Sequence, residues 1–337
     1  MSLGPDPNGF SSDSSASRSA GQALVETAED PLLAGLERPV SVLVVGASGF
    51  LGRHLLERLA SRGHEVRAVA RRGRPDEAPD RAEVTWLAAD VTEEEQVAGL
   101  ARGCEVVVHL AGIRRETEGQ TFRAVHVEGT RHLLAEAGRA GAERIVLVSA
   151  LGATAGSDPF FRTKARAEAL VRDSGLEAAI LRPAVVFGPG DHFVSAVVRW
   201  LERFPVFCVP RAWDGPVQPA SVEDVADALC QCVEREDIVG RTYTLAGPEP
   251  LTLAEVARTV SRVKGLRRAV LTLPDGVARP VLGIARRLAD RLGIPPDEWE
   301  VFRRAGRVAA PRRGDEAFRS VFHIEPMPFR AVLEDYL

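Results

Sequence analysis

Tyrosine is scarce in this chain: there are two in 337 residues, Tyr243 and Tyr336, and neither is followed four residues later by lysine. Cysteine is nearly as scarce. Cys104, Cys208, Cys230 and Cys232 show neither metal-ligand spacing nor the density of a disulfide framework, so no metal site is expected and a reducing, cytoplasmic setting is. Cys230 and Cys232, separated by one residue in a helical stretch, fall on different sides of that helix and read as packing residues. No apolar run approaches the roughly 20 residues a membrane-spanning helix needs, and the opening segment lacks the basic-then-apolar order of a secretion signal. The net charge of -4 is small for this length, which gives no reason to expect nucleic acid as a partner. What is present, 45% hydrophobic and 27% charged residues, is the composition of a globular protein long enough to bury a sizeable core.

Residues 1–36 are rich in Ser, Gly, Asp and Pro, and their apolar clusters are too sparse for a core, so a disordered tail is expected. From there the pattern alternates. Apolar runs at Val40–Val45, Glu65–Ala70, Val84–Ala88, Val106–Leu110, Arg144–Ser149 and Ala178–Leu181 read as strands. Between them, Phe50–Arg62, Glu93–Ala101, Phe122–Ala140 and the stretch containing Lys164–Arg172 read as helices. Nearly all-apolar strands alternating with helices predict an α/β, doubly wound parallel sheet covered on both faces. The pattern changes near Val185. Helices at Phe193–Phe204, Val222–Glu234, Leu253–Val263 and Val277–Leu292 and a strand at Thr242–Leu245 predict a smaller, mainly helical C-terminal lobe, interleaved with the last strands. The expected organisation is thus 1–36 tail, 37–184 nucleotide domain and 185–337 substrate or partner lobe.

The stretch Val44-Val45-Gly46-Ala47-Ser48-Gly49-Phe50-Leu51-Gly52 spaces three glycines between the first strand and the first helix. Glycine permits the tight turn and the close approach of a pyrophosphate, and the helix N-terminus offers free N–H groups to it. A dinucleotide-binding Rossmann domain is the expectation. The second strand ends at Ala70, where an NAD-selective site usually carries a carboxylate for the ribose 2′-hydroxyl, and Arg71 and Arg72 follow. Guanidinium forks suit a 2′-phosphate, so NADP(H) is favoured over NAD(H).

Further stretches extend the pattern: Ala89-Asp90-Val91, His109-Leu110-Ala111-Gly112, Val127-Glu128-Gly129-Thr130, Val148-Ser149-Ala150-Leu151-Gly152 and Leu181-Arg182-Pro183. In this order, from about Pro39 to Leu337, they resemble the extended and atypical members of the short-chain dehydrogenase/reductase superfamily. Val186-Phe187-Gly188-Pro189-Gly190-Asp191 and Pro219-Ala220-Ser221-Val222-Glu223-Asp224-Val225-Ala226 are most similar to the subgroup of the complex I nucleotide-binding accessory subunit and its bacterial relatives. The resemblance implies that Asp90 and Val91 flank the adenine and that Leu110, Ala111 and Gly112 lie along the adenosine half. It also implies that Lys164 reaches the nicotinamide ribose and Pro183 the nicotinamide ring.

The superfamily's Tyr-x-x-x-Lys pair shares one helix face, the phenol moving the proton and the ammonium lowering its pKa. Here the segment reads Phe160-Phe161-Arg162-Thr163-Lys164, and Phe160 at the tyrosine place has no proton to give. The family's helper Asn is replaced by His126, a candidate proton relay. The expected Ser or Thr after the fifth strand falls on Leu151, leaving Ser149 as its substitute. Asp191 and His192 are candidates by location. The implied functions are an NADP-dependent oxidoreductase without the tyrosine, or a non-catalytic dinucleotide-binding module of an assembly or redox sensor. A sugar-nucleotide epimerase or dehydratase is disfavoured by the same missing tyrosine. Along Val277–Leu292, apolar Val277, Val281, Ile284, Ala285, Leu288 and Leu292 recur every three or four residues among Arg279, Arg286, Arg287 and Arg291. Arg303, Arg304, Arg307, Arg312 and Arg313 follow. The helix is expected to cover the core, or to meet a partner or an anionic membrane surface through its basic side.

Overall fold

The computed structural model describes residues 1, 39–78, 80–153, 158–291, 297–306 and 315–337. The expected tail at 1–36 lies outside them but for Met1. All the others belong to one compact unit, Arg38–Leu337.

Ser41 and four apolar residues open the sheet as β1 (Ser41–Val45), and the glycine-rich turn leads into α1 (Phe50–Ser61). Then come β2 (Glu65–Ala70), β3 (Val84–Ala88), α2 (Glu94–Val97) and β4 (Val106–His109). A π-helical stretch, Arg123–Glu128, runs into α3 (Gly129–Ala140), followed by β5 (Arg144–Val148), α4 (Pro159–Arg172) and β6 (Glu177–Pro183). The C-terminal part holds β7 (Val186–Phe187), α5 (Phe193–Arg203), β8 (Val206–Pro210), β9 (Ala220–Ser221), α6 (Val222–Glu234) and β10 (Arg241–Leu245). It continues with α7 (Leu253–Val263), β11 (Ala269–Leu273), α8 (Asp275–Arg291), α9 (Asp297–Ala305), α10 (Glu316–Ser320) and α11 (Phe329–Tyr336).

Seven strands form one parallel sheet in the order β10-β6-β5-β4-β1-β2-β3. Its two faces are buried by separate apolar clusters. Val42, Val44 and Val108 pack on one side with Leu55, Leu59 and Leu229. Leu43, Val45 and Val107 pack on the other with Leu133, Ala137 and Val171. This is the doubly wound Rossmann arrangement that the alternating pattern predicts, with a largely helical C-terminal part. Strand order reverses between β1 and β4, and the crevice beyond their carboxyl ends is where open α/β sheets bind ligands.

Several elements depart from the sequence expectation. The helix expected over Glu93–Ala101 is one turn, α2, because Ala98 turns to an extended ψ of 123° and Gly99 takes φ +85°. Long Phe122–Ala140 is regular only from Gly129, where a side chain would strike Val91 Cγ2 at 2.8 Å. The C-terminal part holds two small parallel pairs, β7 with β9 and β8 with β11, that the periodicity did not reveal. Helix α8 ends at Arg291, so Leu292 lies outside the described residues, as do Arg307, Arg312 and Arg313. Its Val277 and Ile284 are exposed, while Val281 and Leu282 line an apolar hollow with Trp200 and Phe302. No helix among the described residues is long and apolar enough to cross a membrane. Cys230 and Cys232 are buried on α6, and burial raises both thiol pKa values, that of Cys230 to about 12.

Candidate functional site

The three glycines of the β1–α1 turn do different work. Gly46 sits at φ +89°, and a Cβ on it would come within 2.7 Å of Ala111 N and 2.9 Å of the Leu110 carbonyl carbon. The turn therefore lies backbone to backbone on the chain leaving β4, which brings Leu110, Ala111 and Gly112 to the switch point. A Cβ on Gly52 would stand 2.5 Å from Ala47 O, so α1 packs straight onto the turn. Gly49 is unlike both. Its φ of -71° and ψ of 170° suit any residue, and a Cβ would meet only Gly46 O, at 3.1 Å. Gly49 is exposed at the start of α1, where no side chain caps the helix, and the first N–H groups of an uncapped helix suit an anion.

Beside this turn, Ser48, Ala70, Arg71, Arg72, Gly73, Arg74 and Pro75 line a cavity of about 410 Å3. Arg74 is paired with Asp80 at 2.9 Å, whereas exposed Arg71 and Arg72 frame the space next to Ser48. At the end of β3, the Asp90 carboxylate accepts from Thr92 N, Thr92 Oγ1 and Gln120 Nε2 at 2.9–3.0 Å. Val91 is buried under Gly129, and Leu51 and Leu110 both pack against the core cluster on one face of the sheet. A cradle without side chains at the switch point, a helix N-terminus and an arginine-lined hollow at the end of β2 together fit a dinucleotide.

A chain of buried polar groups runs beneath. Lys164, on α4, is buried and its Nζ donates to Val148 O at 3.0 Å. A Cβ on Gly112 would lie 3.3 Å from that Nζ and 3.4 Å from His126 Nε2, so Gly112, Lys164 and His126 converge. Burial lowers the Lys164 pKa to about 8, against the opposing charge of Glu168. Glu168, one turn further on, receives Arg182 through two bonds of 2.8 and 2.6 Å and Arg172 at 2.6 Å. Burial raises its pKa, but the hydrogen bonds from Arg182 and Arg172 outweigh it and hold the carboxyl below its usual range. Ser149 is buried, and its Oγ has no hydrogen-bond partner among the described residues.

His126 has both ring nitrogens engaged. Nε2 accepts from Ile113 N at 3.2 Å, so Nδ1 carries the proton and donates to Thr163 Oγ1 at 2.9 Å. Below it, Thr130 donates to His126 O and accepts from His109 Nε2 at 3.0 Å. Burial, aided by the Lys164 charge, pushes His109 down to about 3 and His126 to about 2. An imidazole whose folded pKa lies below its unfolded value contributes stability that is present above pH 6.5 and is lost as pH falls. Between pH 7 and pH 5 each neutral imidazole accounts for about 2 kcal/mol of that loss. Urea unfolding at the two pH values should show His126→Asn losing about 2 kcal/mol less stability than the unaltered protein. Equal losses would place a charged His126 in the folded state.

Phe160 lies in an aromatic cluster, edge-on to Phe122, His126 and Phe161 at centroid separations of 5.7, 5.5 and 5.2 Å. Arg304 of α9 covers it, with its Cζ 4.9 Å from the Phe160 centroid and 5.4 Å from that of Phe122. Expected from the sequence to add to a basic surface for a partner or an anionic membrane, Arg303 and Arg304 bond Asp158, the N-cap of α4, at 2.8 and 3.4 Å. The basic face thereby loses two members to a tertiary contact invisible in local patterning. Phe50, Pro183, Phe160 and His192 border an apolar cavity of about 280 Å3 that Arg304 closes on one side. Buried Asp191 accepts from Tyr336 Oη at 2.9 Å and from Val194 N at 2.6 Å, fixing the turn before α5. Sequence reasoning missed Glu168, although its place four residues after Lys164 on one helix face was readable. It also missed His109 as a titratable group, and Gln218 and Arg304 as cavity-lining groups.

Residues 46–236, more than half of the chain, match the family described as NAD(P)H-binding. The mitochondrial NADH-ubiquinone oxidoreductase 40 kDa subunit of Neurospora crassa is 29% identical over 246 residues, 72% of this chain and 64% of that protein. The chain thus spans less than two thirds of that relative. The ceramide reductase of Caulobacter vibrioides is 32% identical over 243 residues, 69% of this chain and 74% of that protein. Among solved structures, MoeE5 in complex with UDP-glucuronic acid and NAD is 26% identical, covers 69% of this chain and 85% of its own, and superposes with a TM-score of 0.61. The glycine turn, the parallel sheet and these likenesses agree, and the resemblance to the complex I subunit and to short-chain dehydrogenase/reductase and epimerase folds holds: the chain belongs to the NAD(P)H-binding family of Rossmann proteins.

Proposed function

We propose that this protein holds NADP(H) in preference to NAD(H) and works as an oxidoreductase whose hydride chemistry proceeds without a tyrosine proton donor. The observation that carries the reading is the pair of cradles joined at the switch point: the open space over Gly49 and the hollow framed by Arg71 and Arg72. The α1 N-terminus would receive the pyrophosphate, and Arg71 and Arg72 the 2′-phosphate. Asp90 and Val91 would flank the adenine, Ala111 and Gly112 the adenosine half, and Pro183 the nicotinamide. Lys164, held by Val148 O and faced by Glu168, would donate to the ribose hydroxyls. The dinucleotide supplies a hydride, and the protein excludes water from it with the Phe50, Phe160 and Pro183 walls. His126 bonds through both nitrogens, so any relay through it requires Thr163 or the Ile113 amide to let go.

That last point favours a second reading, in which the protein holds a dinucleotide as part of an assembly or as a redox sensor. The relatives named as complex I subunits support it. Hydride transfer from bound NADPH to a panel of quinones, enones and aldehydes separates the two: measurable turnover supports the oxidoreductase, and tight binding without turnover supports the module. The cofactor choice has its own test. Calorimetry should find NADPH bound more tightly than NADH, with Arg71→Ala costing more than tenfold for NADPH alone, since a charged hydrogen bond contributes about 1.5–3 kcal/mol. Equal affinities in the unaltered protein would remove the argument.

A further inference from the structure

The cavity behind Pro183 has a chemistry of its own. Phe161, Val185, Val186, Phe193, Val217 and Val301 give it walls without charge. Arg114, His192, Gln218 and Arg304 are the polar side chains on its lining, and Arg114 and His192 have partners of their own. Gln218 lines the cavity and is 5% exposed; its Nε2 donates to Gly247 O at 3.1 Å, while its Oε1 has no hydrogen-bond partner among the described residues. Gly247, where any side chain would collide with Pro219 O, holds that amide in place. A buried carbonyl oxygen left without a donor costs free energy that a ligand can recover. Arg304, at the other side, is already committed. It lies over Phe122 and Phe160, bonds Asp158 and Arg114 O, and approaches Glu300 at 3.5 Å. A guanidinium so neutralised has little attraction left for a phosphate.

We infer that this cavity takes a neutral, largely apolar ligand that gives one O–H or N–H hydrogen bond to Gln218 Oε1, and that it does not admit nucleotide sugars. The inference deepens the function proposed above, because the ligand would sit against the residues that face the nicotinamide. Pockets that are mostly apolar with one or two placed polar groups select in this way.

A matched pair of probes tests it. 2-Naphthol and 2-methoxynaphthalene have the same ring system, and only the first donates a hydrogen bond. Titrated by fluorescence into the full chain, with NADPH titrated separately, 2-naphthol should bind about threefold to tenfold more tightly than the ether. In Gln218→Met that preference should vanish while the ether's affinity stays, and Val301→Trp, which fills the cavity, should weaken both probes. Uridine diphosphate glucose should not compete. Equal binding of the two probes in the unaltered protein, competition by uridine diphosphate glucose, or 2-naphthol binding untouched by Val301→Trp would overturn the inference. If Gln218→Met does not fold, the probe ratio in the unaltered protein and Val301→Trp still decide. Probe binding without NADPH binding would leave this inference standing and remove the cofactor reading, and the reverse result would do the opposite.

Discussion

Phe160→Tyr is expected to raise NADPH-dependent carbonyl reduction about 100-fold to 10,000-fold, the range a well-placed general acid supplies. The surroundings of the ring are already those a phenol needs. Lys164 lies one helical turn further along α4 with a buried ammonium whose pKa is lowered to about 8, so it is charged at neutral pH and favours a phenolate. His126 stays neutral, pushed down by burial, and does not compete as a charge. Steady-state rates on aldehydes and enones, with dinucleotide affinity measured alongside, read the outcome. Unchanged rates in Phe160→Tyr with unchanged affinity would mean that the Phe160 place does not face the reacting carbonyl. Fast reduction by the unaltered protein, insensitive to His126→Ala and His192→Ala, would show that proton delivery follows another route.

Gly49→Val should cost at least about 100-fold in dinucleotide affinity, some 2.7 kcal/mol, and leave the fold intact. The three glycines differ in what a side chain would meet. A side chain at Gly46 or Gly52 would collide with the protein's own backbone, so substitutions there test folding before binding. Gly49 has ordinary dihedrals and only Gly46 O near its absent Cβ. The added isopropyl group would occupy the volume over the first turn of α1 where a pyrophosphate must approach. Calorimetry with circular dichroism gives the answer: a folded Gly49→Val protein that binds NADPH normally would reduce the turn to a structural device. Gly52→Ala, by comparison, should lower the melting temperature whether or not ligand is present.

The sheet was legible in the sequence because its signal is local. Buried parallel strands are continuous apolar runs, and the apolar cores of β1, β4 and β5 announce themselves in that way. The glycine turn was legible for the same reason, since turn, strand end and helix start are contiguous. The motifs around Gly129 and Arg182 are visible in the sequence, but their causes are not. Their reasons are partners distant in the chain: Val91 under Gly129, Glu168 against Arg182. Arg304 was misread because its guanidinium closes on Asp158, 146 residues earlier, and an arginine in a basic run looks solvated until the fold brings its carboxylate. Gln218 gave no signal at all, being one polar residue between Val217 and Pro219. Strands β8 and β11 escaped notice because, among the described residues, each pairs only with the other and leaves Val206 and Leu271 exposed, so neither has the buried pattern of a central strand.

The edge strand β10 lies some sixty residues after β6, its neighbour in the sheet. A ribosome releases this chain from one end, so β6 emerges and waits, with one row of its amide and carbonyl groups unpaired, until Leu245 is made. An unpaired strand edge is a template for any other extended segment. A fragment cut at residue 184 would keep that edge open permanently. It should therefore aggregate where the intact chain does not, and light scattering of the fragment would register it. Cutting the glycine turn away from the C-terminal half would be no clean excision of a nucleotide module, since the last strand of that module is written into the later half of the sequence.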